Sequence, residues 1–476
     1  MKKKRFVTLA VFFVLLTGLS AKAKDTYRIT LTVRNSSDTV MYMGYYYAEK
    51  TYILDTARRD KKGRFVFQSN RTLHPGLYFF SASTKRWVDF VVYHEKPVFS
   101  FTTDDADWVG NMEVKGSREN EVFFNYKRGS NSIYDEYEQR IMHSDSVTRR
   151  QLEAEMQHRQ RDLKNQYIRE YPERMIALMM QATKDIYPSV PVVSASGDSL
   201  TQRQRYSFFM EHYFDSMPLH DDMLVRTPKG VFYQRVMDYF DVYLKGASPE
   251  VIIAYADSLI ERARPSRENF KWLVHTIKEK YLRSNITAYE AVAVHMIHRY
   301  YSSGDAFWCA ASTIDEMTAL ADKWDRLLIG RTAPELILFD TLRVPHSLHY
   351  LPNRYKLLVF WSPTCGHCKT AIPAIYASYR RLSERYDIGA FAILSEPDDA
   401  TRRLWHQFIA DHDLQWLNLD GGEANIDWHD VYDVVSTPQV YLIDEENRIM
   451  AKKFNAESFE RIVEALCVPK DVKISE

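Results

Sequence analysis

Hydrophobic positions along the chain change their period twice. Between residues 26 and 115, YRITLTVRN and RFVFQS alternate apolar with polar positions, while LYFFSAS and VDFVVYH are dense in aromatic and β-branched residues. DKKGR (60–64) and HPG (74–76) separate these runs. Period-two alternation broken by such turns predicts short strands, so this segment reads as an all-β, antiparallel sandwich or barrel. Tyr45, Tyr46, Tyr47, Tyr78, Phe79, Phe80, Trp87 and Phe90 fall at strand spacing. They are expected in the core rather than on a carbohydrate-binding platform.

From residue 117 the period becomes helical. FYQRVMDYFDVYL (232–244), VIIAYADSLIERA (251–263) and AYEAVAVHMIHRYY (288–301) repeat apolar residues every three or four positions. Breakers including Pro188, Gly197, Pro228, Gly246, Pro265 and Gly304 divide the stretch into several helices. Residues 140–170 are charged and contain neither proline nor glycine, which predicts one extended amphipathic helix. His295 and His298 share one helix face, but no further ligand stands near them in sequence, so they are expected as helix-face residues rather than a metal site.

The period changes again near residue 329. KLLVFW (356–361) is a short apolar run, as expected of a strand buried on both faces. A helical segment follows, with Ile372, Ile375, Tyr379 and Leu382 in phase. Strands at 388–394, 414–419, 439–444 and 449–454 then alternate with helices at 398–412, near 428–434 and from about 457. This is an α/β domain that closes with a hairpin and a helix. The chain divides accordingly into 24–116 (β), 117–326 (α-helical) and 327–476 (α/β).

The first residues add a destination. A basic start (Lys2, Lys3, Lys4, Arg5), an apolar stretch over 6–19 and the small-residue ending Ala21-Lys22-Ala23 form a secretory signal, with cleavage expected after Ala23. No cysteine lies beside the cleavage point, so no lipid anchor is expected there. The stretch is shorter than the roughly 20 residues that span a bilayer. The mature chain is therefore expected in the periplasm, not spanning the membrane. Lys+Arg and Asp+Glu balance at 63 each, so no net field recruits nucleic acid.

Only four cysteines occur in 476 residues, which is too few for a disulfide scaffold. Cys365 and Cys368 stand in WSPTCGHCKTAI, between a strand and a helix start. A c-type haem site needs histidine after the second cysteine, where this chain has Lys369. A zinc site wants a second ligand pair, and Cys309 and Cys467 are distant in sequence. Position favours a redox dithiol, with no metal and no cofactor. A cysteine at the first turn of a helix faces unpaired N–H groups and the positive end of the helix dipole, both of which stabilise a thiolate. Cys365 holds that place and is expected to attack; Cys368, one turn on, is expected to resolve the mixed disulfide. His367 is expected to lower the Cys365 pKa further, and Gly366 to keep the sulfur approachable. Cys309 and Cys467 are expected to be buried small apolar residues.

A strand, FWSPTCGHCK and a helix containing Pro373, followed by Ser436-Thr437-Pro438 ahead of another strand, resemble the thioredoxin fold. With the lead-in IGRTAPELILFDT (329–341), the segment resembles the exported TlpA/ResA-like thiol:disulfide interchange proteins. The resemblance implies a cis Thr437-Pro438 bond lying against the cysteines and pairing with a bound substrate chain, and Trp361 as the motif's tryptophan. It implies protein thiols and disulfides as substrates, with a separate redox partner. The upstream segments, YILDTARRDKKGRFVF and VHMIHRYYSSGDAFW among them, resemble modules of unknown function that precede thioredoxin domains in exported Bacteroidota proteins.

The chain departs from that family at two positions. Val359 stands where many members carry a buried acid before the tryptophan, and Ala371 where reductases often place a glutamate. CGHC also resembles protein disulfide isomerases more than reductive thioredoxins. The expected function is thus an exported thiol:disulfide oxidoreductase serving envelope redox balance or disulfide maturation, with both directions of electron flow open. A client-binding chaperone with secondary redox activity is the alternative from another class. A peroxiredoxin is disfavoured, because Pro363-Thr364-Cys365 lacks that family's spaced motif.

Overall fold

The computed structural model describes residues 26–82, 86–183 and 199–470, so residues 1–23, expected to be a secretory signal, lie outside the described residues. The chain divides into two compact units, 1–238 and 239–476, and the division falls inside the helical stretch. Each unit is built around its own sheets.

In the first unit the strands are β1 (Tyr27–Arg34), β2 (Val40–Tyr47), β3 (Lys50–Arg58), β4 (Arg64–Ser69), β5 (Gly76–Ala82), β6 (Trp87–Val92), β7 (Val98–Asp104) and β8 (Glu113–Lys115). They form two four-stranded sheets, β4-β1-β7-β8 and β3-β2-β5-β6. Alternation sends Tyr27, Ile29, Leu31 and Val33 of β1 inward. Ring contacts join the sheets into a sandwich: Phe80 of β5 stacks on Phe67 of β4 at 5.5 Å and meets Phe101 of β7 edge-on at 5.6 Å. The aromatic residues proposed as core are buried at Tyr46, Tyr78, Phe79, Phe80 and Phe90, whereas Trp87 is half exposed. One expectation needs correction: the sandwich is not wholly antiparallel, since β1 and β7 pair in parallel. The chain leaves for the other sheet in β5 and β6 and returns along β1 in the same direction.

Helices α1 (Arg118–Met142), α2 (Ser146–Glu170), α3 (Met175–Ala182), α4 (Gln202–His212) and α5 (Tyr233–Asp238) complete this unit. Asn120 fastens α1 to the sandwich by donating to the Val91 carbonyl and accepting from the Val91 N–H. The single helix expected over 140–170 is in fact the end of α1 and the whole of α2. Asp145 breaks it, because its carboxylate caps the N–H groups of Val147 and Thr148 and starts a new helix.

The second unit opens with α6 (Pro249–Ala263), α7 (Arg267–Leu282), α8 (Glu290–Met296) and α9 (Ala311–Asp325). His295 pairs with Asp257 of α6 at 2.9 Å and His298 faces Asp322 of α9 at 3.6 Å, so the two histidines have different partners. There follow β9 (Ile337–Asp340), β10 (Pro345–Ser347), β11 (Tyr355–Trp361), α10 (Gly366–Arg385), β12 (Ile388–Leu394), α11 (Asp399–Asp411), β13 (Leu417–Asp420), α12 (Trp428–Val431), β14 (Gln439–Ile443), β15 (Ile449–Lys452) and α13 (Ala456–Leu466). The sheet order is β10-β9-β13-β12-β11-β14-β15. Every residue of β11 and β12 is buried, because alternate positions feed two cores. Leu357, Val359 and Trp361 join Ile372, Trp405 and Phe459 on one face. Leu358 and Phe360 join Leu336, Trp428 and Tyr432 on the other.

Candidate active site

β11 runs parallel to β12 and antiparallel to β14. The C-terminal end of β11, the C-terminal end of β12 and the N-terminal start of β14 therefore meet at one edge of the sheet. The candidate site is assembled there.

After Trp361 the buried turn Ser362-Pro363 leads to Cys365, the N-cap of α10, with extended dihedrals (φ −70°, ψ 122°). All four cysteines are free thiols. The Cys365 thiol donates to the Thr437 carbonyl oxygen at 3.3 Å, and the Thr437-Pro438 peptide bond is cis. The neutral thiol makes no capping hydrogen bond to its helix. Its ionised form is another matter. Partial burial alone would push the Cys365 thiol up, but hydrogen bonding from the Thr437 side chain, then from Cys368 and the His367 backbone N–H, outweighs burial and holds it below the usual thiol range.

Cys368 lies one turn into α10 and is fully buried. Burial raises its thiol to about 11, with hydrogen bonding from Ser362 and Thr437 opposing that rise. Adjacent thiols are thus pushed in opposite directions by their settings. A partly exposed, ionisable sulfur beside a buried, protonated one is the arrangement that nucleophilic attack followed by intramolecular resolution requires.

The remaining sequence-derived residues take distinct places. Trp361 is fully buried, with its ring 5.2 Å from that of Phe408. His367 is exposed, and it is the backbone N–H of His367 that favours the Cys365 thiolate. Apart from its chain neighbours and its own helix backbone, a Cβ at Gly366 would meet no atom within 4 Å, so the space beside it is open. Val359 is fully buried, and Ala371 lines a groove of about 770 Å³ beside Ser436 and Pro438. Cys467 is buried, its thiol pushed up by burial to about 12. Cys309 is only half-buried, contrary to expectation, because it sits in the turn ahead of α9 and not in a helix interior.

Sequence reasoning missed Glu396. Its Oε2 accepts from the Ser362 hydroxyl at 2.7 Å and the Thr364 hydroxyl at 2.6 Å, and these bonds hold its carboxyl below the usual carboxylate range. Ser362 Oγ also accepts from the Thr364 N–H at 3.2 Å. Glu396 thereby ties the loop after β12 to the turn that presents Cys365. Among the described residues, no cluster of three or more His, Cys, Asp or Glu is placed to hold a metal ion.

Strand order β12-β11-β14-β15, with β14 antiparallel to β11 and β15 antiparallel to β14, α10 leaving β11 through a Cys-x-x-Cys turn, and a cis-proline facing that turn, defines a thioredoxin fold. Residues 27–123 match a family described as Domain of unknown function (DUF4369), and residues 148–302 match another, Domain of unknown function (DUF5106). No curated protein matches. Among solved structures, the chain is similar to a thioredoxin-like protein from Bacteroides caccae, at 18% identity over 59% of this chain and 99% of that one, with a TM-score of 0.46. It is similar to the thioredoxin domain of a thiol-disulfide oxidoreductase from Bacteroides vulgatus, at 22% identity over 29% of this chain and 98% of that one, TM-score 0.27. A thiol:disulfide interchange protein from a Bacteroides species is similar at 21% identity over 29% of this chain and 90% of that one, TM-score 0.25.

Proposed function

We propose that the protein is an exported thiol:disulfide oxidoreductase that exchanges disulfides with protein substrates in the cell envelope. The observation that carries this reading is the contrast between neighbouring thiols: Cys365 is held below the usual range, while Cys368 is buried and pushed up to about 11. In the reducing direction, the Cys365 thiolate attacks one sulfur of a substrate disulfide. A Cys365–substrate S–S bond forms, the substrate S–S bond breaks, and the leaving thiolate takes a proton. Cys368 then loses its proton and attacks Cys365 Sγ, which releases the second substrate thiolate and leaves the Cys365–Cys368 disulfide. The oxidising direction is the same path reversed. A lowered Cys365 thiol favours the dithiol form and makes the disulfide the stronger oxidant.

The proposal includes periplasmic delivery by residues 1–23, a β module over 24–116, a helical module over 117–326 and the redox module over 327–476. Its test is trapping. Cys368→Ser expressed in the envelope should accumulate mixed disulfides with client proteins through Cys365, visible as reducible high-mass species, and Cys365→Ser should not. Equal behaviour of the two variants would overturn the assignment.

A further inference from the structure

We propose that helices α8 and α9 brace the loop that carries Thr437 and Pro438, with Glu290, Lys323 and Trp324 as positioning residues for disulfide exchange at Cys365. The inference rests on the function proposed above and adds a role for helices that nothing in the thiol chemistry itself requires.

Two polypeptide turns flank the groove beside Pro438. One ends α12 at Asp433, the other ends β15 at Lys453, and both residues line the groove. Both also adopt left-handed backbone dihedrals, with φ of 48° at Asp433 and 57° at Lys453. Such a conformation costs a non-glycine residue on the order of 1 kcal/mol or more and persists where the surroundings over-determine it. Backbone bonds of the turns themselves, Asp433 N–H to the Asp430 carbonyl and Lys453 N–H to the Val440 carbonyl, hold these conformations, and the helices add side-chain contacts to them.

From α9, the Trp324 indole N–H donates to Asp433 Oδ2 at 3.1 Å, and Lys323 Nζ lies 2.7 Å from Asp430 Oδ1 and 3.8 Å from Asp433 Oδ1. From α8, Glu290 bridges both lysines of the other turn, at 2.5 Å to Lys452 and 2.8 Å to Lys453. Lys452 is buried, so Glu290 is the carboxylate that compensates its charge there. α9 is itself fixed: Leu327, just beyond its end, is buried with Leu336 and Phe360, and Gly330 donates to the Ile449 carbonyl at the start of β15.

The groove's lining residues all fall between 371 and 461, so the helices hold its rims without entering it. Thr437 lies between those rims, and the brace would hold its contact with Cys365 in register: the neutral thiol donates to the Thr437 carbonyl, and the Thr437 side chain favours the thiolate. A relaxed loop lets the Thr437 side chain withdraw, and the Cys365 thiolate then loses that hydrogen bond.

The test uses the reduced full chain and three variants: Trp324→Phe, which removes the indole N–H together with part of the ring, Glu290→Gln, and the two combined. The rate of Cys365 carbamidomethylation by iodoacetamide is followed against pH by mass spectrometry. The double variant is expected to shift the midpoint up by half a pH unit or more, which is about threefold less thiolate below the midpoint. A merely structural role would lower the unfolding temperature and leave that midpoint in place, and this result would overturn the proposal. Should the double variant not fold, Trp324→Phe alone is judged on the same shift. Alkylation needs no client, so failed trapping by Cys368→Ser counts against the proposed function while an unmoved midpoint counts against the brace.

Discussion

The thiol of Cys365 meets the carbonyl oxygen of Thr437 at 3.3 Å, although 72 positions separate them. Strand register brings them together. Phe360 near the end of β11 pairs with Gln439 at the start of β14, so the residues just beyond each lie on one edge of the sheet. The contact places a main-chain acceptor and the Thr437 side chain beside the sulfur that is proposed to attack.

The first prediction concerns which cysteines react. At pH 7 a thiol titrating at about 11 is ionised to only about one part in ten thousand, since each unit of pKa is tenfold. Cys467, pushed up to about 12, is less ionised still. Brief iodoacetamide treatment of the reduced native protein at pH 7 should modify Cys365 and spare Cys368 and Cys467 until the chain is unfolded. Peptide mass spectrometry after quenching reads this directly, and comparable labelling of Cys365 and Cys368 would contradict the site's electrostatics.

A second prediction concerns Glu396. Its carboxyl is held below the usual range by the hydroxyls of Thr364 and Ser362. A carboxylate whose folded pKa is depressed contributes stability above its unfolded pKa of about 4.3, and that contribution is lost as pH falls through the lower folded value. Glu396 is exposed, so solvent screening keeps the contribution near ~0.5 kcal/mol. Glu396→Gln should therefore be less stable than the parent at pH 7 and equal to it by about pH 3, measured as urea midpoints at both pH values. A gap of the same size at pH 3 and pH 7 would show that the carboxylate's charge plays no part.

Legibility in the sequence follows distance along the chain. β11 and β12 are readable because a continuous apolar run of strand length fits little besides a strand buried on both faces, and the Cys-x-x-Cys turn and Ser436-Thr437-Pro438 are local patterns. β9 and β10 escape such a reading: they are four and three residues long and bury little beyond Leu338. The end of α1 and the start of α2 merge in the sequence because Asp145 reads as one more charged residue until its capping bonds are seen. Glu396 is invisible there for a different reason. Its link to Thr364 exists only because parallel pairing brings the ends of β11 and β12 together, and LSEPDD by itself reads as an acidic loop.

Val359 gives the last prediction, because it stands where members of the resembled family carry an acid. Its side chain is fully buried, and it pairs in register with Ala392 of β12 and Val440 of β14, both of them buried and apolar. A carboxyl there would lack evident hydrogen-bond donors, and burying an unpaired polar group costs about 2–7 kcal/mol. Val359→Asp should therefore lower the free energy of unfolding by at least about 2 kcal/mol at pH 7. The sign with pH follows from burial, which raises the folded pKa of the new acid above its unfolded value. The folded state then binds the extra proton first, so the loss should shrink as pH falls from 7 toward 5. Urea denaturation of the parent and variant at both values measures it. A variant within about 1 kcal/mol of the parent at pH 7, with faster alkylation of Cys368, would show instead that this interior accepts a proton-transfer group.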